Sequence, residues 1–178
     1  MGKRVYFSYY HELDHDRVTR LREAGVVEGN VPVSRQDWKR ITQGGGVAIE
    51  GWISAQLSGK SCIVVLIGTA TAGRMWINHE VRKAWRQNRG VVGVYVHNLE
   101  DRHGNQSAKG ANPFDEISIE GGIAMLSSIV KAYDPPHSAS DDVYRYVIDH
   151  LEEWIEEAIA IRSTVPRERR YQPVTRSV

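Results

Sequence analysis

Cysteine is almost absent: of 178 residues only Cys62 is one, which excludes an internal disulfide and any zinc site built on paired cysteines. It lies in the apolar run Cys62-Ile-Val-Val-Leu-Ile67, where a small thiol is expected to be buried packing. No hydrophobic stretch approaches the roughly 18–20 residues needed to cross a bilayer. The opening Met-Gly-Lys-Arg runs directly into a strand-like segment, so a soluble, cytoplasmic protein is expected. A surplus of one charge is missing too. The formal net charge of +1 supplies no field toward nucleic acid or an anionic membrane, so neither is expected as a partner. Several motifs are lacking: Gly-x-x-x-x-Gly-Lys-Ser/Thr, a post-strand Gly-x-Gly-x-x-Gly, and Gly-x-Ser-x-Gly. Their absence sets aside the phosphate-loop, Rossmann and nucleophile-elbow enzymes. No Asp directly follows the central strand, which disfavours a response-regulator receiver. Phenylalanine is scarce as well. Only two Phe stand beside five Trp and eight Tyr, and those latter rings serve cores and also stack on ligands.

What is present alternates between strand and helix patterns over a length suited to one domain. Residues 5–9 are β-branched and aromatic, and 14–24 carry Val18 and Leu21 at helical spacing before Gly25. Residues 31–34 make a weaker edge strand interrupted by Pro32. A polar loop over 35–46 leads to a helix whose apolar stripe is Ile49, Trp52, Ile53 and Leu57. The unalternating run 61–67 reads as a central strand buried on both faces of a parallel sheet. A helix over 76–88 and a buried strand over 91–96 follow. Residues 97–120 show no periodicity and suggest an insertion or a lid. A last strand within 123–133 and a long amphipathic helix over 141–161 close the domain. The expectation is a flavodoxin-like three-layer α/β/α fold with a mostly parallel sheet of about five strands. It comprises a single domain over 1–161 and an Arg-rich tail over 162–178. Residues 138–161 hold seven acids and one Arg, whereas the tail holds five Arg and one Glu. Such runs form solvated faces, or here a tail that folds back on the acidic helix.

Two features carry weak chemistry of their own. Gly44, Gly45 and Gly46 precede a helix, where free amides can meet phosphate. His11 and His15 are four apart but straddle a loop-to-helix boundary, a poor metal site. The segment Thr69-Ala-Thr-Ala-Gly-Arg-Met-Trp-Ile-Asn-His-Glu80 says more. On a helix, Trp76 and Glu80 are neighbours at i, i+4, and Glu80 falls about 60° from Ile77, at the edge of the buried stripe. That places a partly desolvated carboxylate just beyond the C-terminal end of a central parallel strand, where open α/β sheets bind ligands. An acid near a helix N-terminus that merely favours the dipole is the alternative.

The same residues carry a resemblance. Arg4-Val-Tyr-Phe-Ser-Tyr-Tyr followed by Asp14, Ser34-Arg-Gln-Asp-Trp38 before a Gly-rich loop, and the order Ile49, Ile53, Ser58, Ser61, Ile63–Ile67, Thr69, Thr71, Trp76, Glu80 resemble Toll/interleukin-1 receptor (TIR) domains. Within that superfamily the chain is most similar to the prokaryotic TIR-like proteins typified by the B component of Thoeris anti-phage defence. The resemblance covers roughly residues 4–100. It implies an NADase or ADP-ribosyl cyclase that cleaves the nicotinamide–ribose bond of NAD, its substrate rather than a cofactor. The product would be a cyclic or conjugated second messenger for a downstream effector protein, with a homo-oligomer as a further expectation. By resemblance Glu80 is the catalytic carboxylate, Ser8 and Tyr9 line the cleft, and Asp37 and Trp38 begin the loop that closes over the nucleotide. Thr69 belongs to the short Ser/Thr loop. Chemistry adds Trp38 or Trp76 as stacking rings, Gly45 and its neighbours beside the diphosphate, and Arg35 or Arg74 as its counter-charge. Trp52, Trp85 and Trp154 are assigned to packing. The chain departs from the family pattern at Arg74-Met75, where Ser usually precedes the Trp, at Ile77, often Cys, and at 42–46, which lack Pro-Gly. A non-catalytic docking module of the same fold is the competing expectation.

Overall fold

The computed structural model describes residues 3–31, 33–119 and 122–166. Four strands form a parallel sheet in the order β1-β2-β3-β6: β1 (Val5–Ser8), β2 (Cys62–Ile67), β3 (Gly90–Tyr95) and the two-residue β6 (Ala132–Tyr133). Val5 pairs with Cys62 and Cys62 with Gly90. All residues of β1, β2 and β3 are buried, as expected of strands covered on both faces.

Alternation along the strands separates two cores. Val5, Phe7, Val64, Leu66, Val92 and Val94 face α1 (His11–Glu23) and α5 (Ser140–Thr164). Tyr6, Ile63, Val65, Ile67, Val91 and Tyr95 face α3 (Gly45–Leu57) and α4 (Met75–Arg86). Gly90 lets α5 lie against β3, since a Cβ there would come within 2.8 Å of the Ile159 amide nitrogen.

Among the described residues of the expected strand at 31–34, none is in a strand. Its place at the sheet edge is taken by a single bridge, with Val5 N–H donating to Glu28 O at 2.9 Å and Glu28 N–H to Lys3 O at 3.0 Å. The sequence Val-Pro-Val offers a proline without a donor, and the edge ends early. The polar loop expected over 35–46 is also largely helical. Helix α2 (Arg35–Gln43) starts on Ser34, whose Oγ accepts the Asp37 N–H at 3.1 Å and whose hydroxyl donates to the Asp37 carboxylate at 2.7 Å. This is an N-cap, the Ser34 side chain satisfying an amide that the helix start would leave unpaired. Gly45, at φ +75°, makes the break between α2 and α3.

The aperiodic segment expected over 97–120 is anchored in the core at single points. Leu99, Phe114 and Ile117 are fully buried, the last two around a 3-10 turn at Pro113–Glu116. β4 (Ser118–Ile119) then pairs antiparallel with β5 (Ala124–Met125). Helix α5 runs to Thr164 and includes Arg162, whose Nε donates to Trp85 O at 3.0 Å and whose guanidinium lies 4.4 Å from the Trp85 ring centre. The rest of the expected tail, from 167, lies outside the described residues. Among the described residues no helix is long and apolar enough to cross a membrane.

Candidate active site

Because side chains on a strand alternate, Tyr6 and Ser8 project from β1 to the same side, toward α4. Glu80, on the second turn of α4 one turn after Ile77, reaches back to meet them. The Tyr6 hydroxyl donates to Glu80 Oε1 at 2.7 Å, and the Ser8 hydroxyl donates to Oε2. Glu80 is only 5% exposed. Burial pushes its carboxyl up to about 7, against the downward pull of the Ser8 and Tyr6 hydrogen bonds, with no cation among the causes. The same burial, with Glu80 nearby, pushes the Tyr6 and Tyr9 phenols above their usual range.

Glu80 lines a cavity of about 310 Å³ at the C-terminal end of β1, at the lower end of the size of small-molecule sites. Its wall is aromatic. Trp38 of α2 and Trp52 of α3 meet edge to face at 5.7 Å, and Trp52 meets Tyr6 likewise at 6.4 Å. His11 stacks between Trp38 at 6.4 Å and Tyr9 at 5.9 Å, its ring held by the Val33 carbonyl. From α4 come Trp76 and, at the cap, Arg74, whose guanidinium lies 3.6 Å from the Tyr10 ring centre and whose Nε donates to Ala70 O at 3.0 Å. Beside the cavity, Glu50 of α3 binds His79 and Lys83 of α4, tying the two helices together.

Of the expected site residues, Tyr9, Trp38, Arg74, Trp76 and Glu80 line this cavity. Ser8 is buried and reaches Glu80. Others lie elsewhere. Asp37 and Trp38 are on a helix rather than a closing loop, and Asp37 is spent on the Ser34 cap and on Arg40 at 3.5 Å. Gly45 starts α3 and Thr69 donates to Ala108 O; neither lines the cavity. Arg35 opens α2, and its side chain lies outside the described atoms.

Sequence reasoning missed Tyr6, Tyr10, His11, Asn30 and Trp52. Trp52, assigned to packing, does pack half-buried against the core and also lines the cavity, while Trp85 and Trp154 are core. The signal was there: Ile49, Ile53 and Leu57 form the buried row of α3, and Trp52 stands at its edge. Strand alternation from Ser8 would have identified Tyr6. Asn30 had no such signal. It is 7% exposed and its Oδ1 accepts the Phe7 N–H at 2.7 Å, replacing the missing edge strand. Among the described residues no group of three His, Cys, Asp or Glu is placed to hold a metal.

A central parallel sheet flanked by helices is consistent with a TIR-like α/β fold. The sequence profile of the family described as "Thoeris protein ThsB, TIR-like domain" matches residues 6–101, more than half of this chain and every residue of the cavity lining. The chain belongs to that family. A relative from Bacillus cereus (strain MSX-D12), named "Putative cyclic ADP-D-ribose synthase ThsB1", is 28% identical over 131 residues. The match covers 67% of this chain and 65% of the relative, so the chain spans just under two thirds of that protein's length.

Proposed function

We propose that this protein consumes NAD, breaks its nicotinamide–ribose bond, and releases the ADP-ribose portion as a cyclic or conjugated messenger read by a downstream effector in anti-phage defence. The observation that carries this reading is Glu80, a buried carboxylate with no counter-cation, facing an aromatic cavity. Membership of the ThsB family and the name of the Bacillus relative supply the substrate class.

The chemistry needs little else. Nicotinamide in NAD is a pyridinium, so when the glycosidic bond breaks its electron pair leaves with a neutral base and the positive charge passes to the ribose. A carboxylate fixed beside that carbon stabilises the oxocarbenium-like transition state. Each Glu80 oxygen accepts one hydroxyl, and a carboxylate has about four acceptor positions, so lone pairs remain for the ribose. Attack by water gives ADP-ribose and a proton. Attack by a ring nitrogen of the substrate's own adenine gives a cyclic product. Trp38, Trp52 and Trp76 offer faces or edges for the two bases. Arg74 supplies a positive charge for the diphosphate. NAD is the substrate here, and the mechanism calls for no resident cofactor.

The test is to incubate the purified protein with NAD and follow nicotinamide and the nucleotide products by mass spectrometry, beside Glu80→Gln. Nicotinamide release by the parent and its collapse in the variant are expected. Equal turnover in Glu80→Gln would remove that residue from the mechanism. NAD left intact by the parent at every protein concentration tried would favour the docking module.

A further inference from the structure

Tyr6 is held more firmly than a core tyrosine requires. It is 2% exposed, its ring is edge-on to Trp52 at 67°, and its hydroxyl meets Glu80 Oε1 at 2.7 Å across 74 residues of sequence. A phenylalanine would fill the same apolar space with no polar atom to satisfy. A buried hydroxyl without a partner is costly, and so is a buried carboxylate without donors. Tyr6 and Ser8 together give each Glu80 oxygen one donor from a single rigid strand. A glutamate side chain on its own rotates about three bonds, and this two-point mount removes that freedom.

The charged and titratable groups around Glu80 leave the hydroxyls as its nearest support. From β1 come Tyr6 and, just beyond its end, Tyr9; from α1, His11 and Glu12; from the α4 cap, Arg74. Of these, Tyr6 alone joins Ser8 in hydrogen-bonding the carboxylate, and both bonds favour its charged form.

We propose that Tyr6 is a positioning residue, its hydroxyl acting with that of Ser8 to fix the Glu80 carboxylate in one orientation and to favour its ionised form. This rests on the reading of Glu80 as the carboxylate that faces the reacting ribose. Loss of one donor raises the carboxyl's titration midpoint, because the hydrogen bond favours the charged form.

The experiment uses the full chain, with glutamate carboxyls labelled with carbon-13, and compares parent, Tyr6→Phe, Ser8→Ala and Glu80→Gln, the last assigning the resonance. Melting temperatures establish that each variant is folded. In Tyr6→Phe the Glu80 midpoint is expected to rise by about one pH unit, the size of one hydrogen bond to a charged group. The acidic limb of the NAD pH–rate profile moves with it, and kcat falls more than KM rises. In Ser8→Ala the midpoint also rises, which reads the second point of the mount even if Tyr6→Phe is unstable. An unmoved midpoint in the folded variants overturns the mount. A raised midpoint in a protein that never cleaves NAD supports the mount and overturns the enzymatic reading, so the two fail separately.

Discussion

On the α1/α5 face of the sheet a buried acid is paired with a base; on the α3/α4 face a buried acid is paired only with hydroxyls. Asp14 on α1 is 1% exposed and its Oδ1 lies 3.0 Å from Arg17 Nη1. Arg17 also donates to Leu99 O at 2.7 Å, Leu13 O at 2.9 Å and Asn105 O at 3.1 Å, binding α1 to the segment after β3. Burial pushes the Asp14 carboxyl up to about 6, with Arg17 pulling it down. Glu80 is pushed to about 7 and has no such counterweight. Both acids therefore look perturbed, and perturbation alone would nominate either as functional. What separates them is their surroundings. Gly68 packs so closely on the Asp14 carboxylate that a side chain there would collide with it, and Asp14 is not part of the cavity lining. Glu80 opens on a cavity.

Removing each group in turn tests that division. The largest effect is expected for Glu80→Gln, which should lower NAD cleavage about a thousandfold, roughly 4 kcal/mol of transition-state stabilisation, measured as nicotinamide release. Arg17→Met should act on stability instead. Breaking a buried pair by deleting one partner typically costs about 3–5 kcal/mol, and the Asp14 charge would be left without its cation. Denaturant unfolding at pH 8 should show that loss, while turnover per folded molecule is retained. If Arg17→Met abolished cleavage in fully folded protein, the two faces would not be functionally separate.

The next effect is one of pH, and it has the same sign on both faces. Carboxyls in the unfolded chain titrate near 4, whereas Asp14 and Glu80 in the fold titrate near 6 and 7. The folded state thus binds more protons between these values, so the stability they contribute is complete below about pH 4 and is lost as pH rises through 6 and 7. Each group accounts for roughly 3 kcal/mol by this linkage. Glu50 and Glu157 shift downward on their lysine partners; both are only half-buried, 41% and 38% exposed at the side chain, so solvent screens the pairs and their opposite effect is small. Urea unfolding from pH 5 to 8 should therefore show declining stability in the parent. Glu80→Gln should show about half that decline and be the more stable of the two at pH 8. An identical slope in both proteins would mean that Glu80 is ionised throughout.

The sequence was most legible where one period dominated. Runs such as Cys62–Ile67 and the row Ile77, Val81, Ala84, Trp85 bury as their patterns require, because hydrophobic burial is what the pattern encodes. Glu80 was legible for the same reason, as the one acid at the edge of that row. Two kinds of feature were not. Helix α2 has a moderate sequence preference and forms around a cap, so its polar residues read as loop. The 97–120 segment has no period because Leu99, Phe114 and Ile117 enter the core singly, from loop backbone or a single 3-10 turn. Trp52 shows the limit of a stripe argument, since a residue at its edge belongs to the core or to a cleft depending on what the next helix brings opposite it.

The smallest expected effect compares two arginines that each cover a tyrosine, one on each side of the molecule. Arg20 on α1 lies 4.5 Å from the Tyr144 ring centre and also bonds Ser140 Oγ at 3.0 Å and Asp141 at 2.7 Å, fastening α1 to the start of α5. Arg74 lies over Tyr10 at the cap of α4, where a positive charge opposes the helix dipole. Its charge therefore opposes the dipole by about as much as the Tyr10 ring and the Ala70 carbonyl return, and it is suited to an anion entering the cavity. Arg20→Gln should cost up to about 1 kcal/mol of stability and leave KM for NAD unchanged. Arg74→Gln should leave stability unchanged or raise it by a few tenths of a kcal/mol, about what one dipole interaction is worth, and raise KM roughly tenfold as one charged contact to the diphosphate is lost. A substrate lacking the diphosphate, such as nicotinamide riboside, should not distinguish Arg74→Gln from the parent. If it did, Arg74 would be acting on the shape of the cavity through Tyr10 and not on the charge of the substrate.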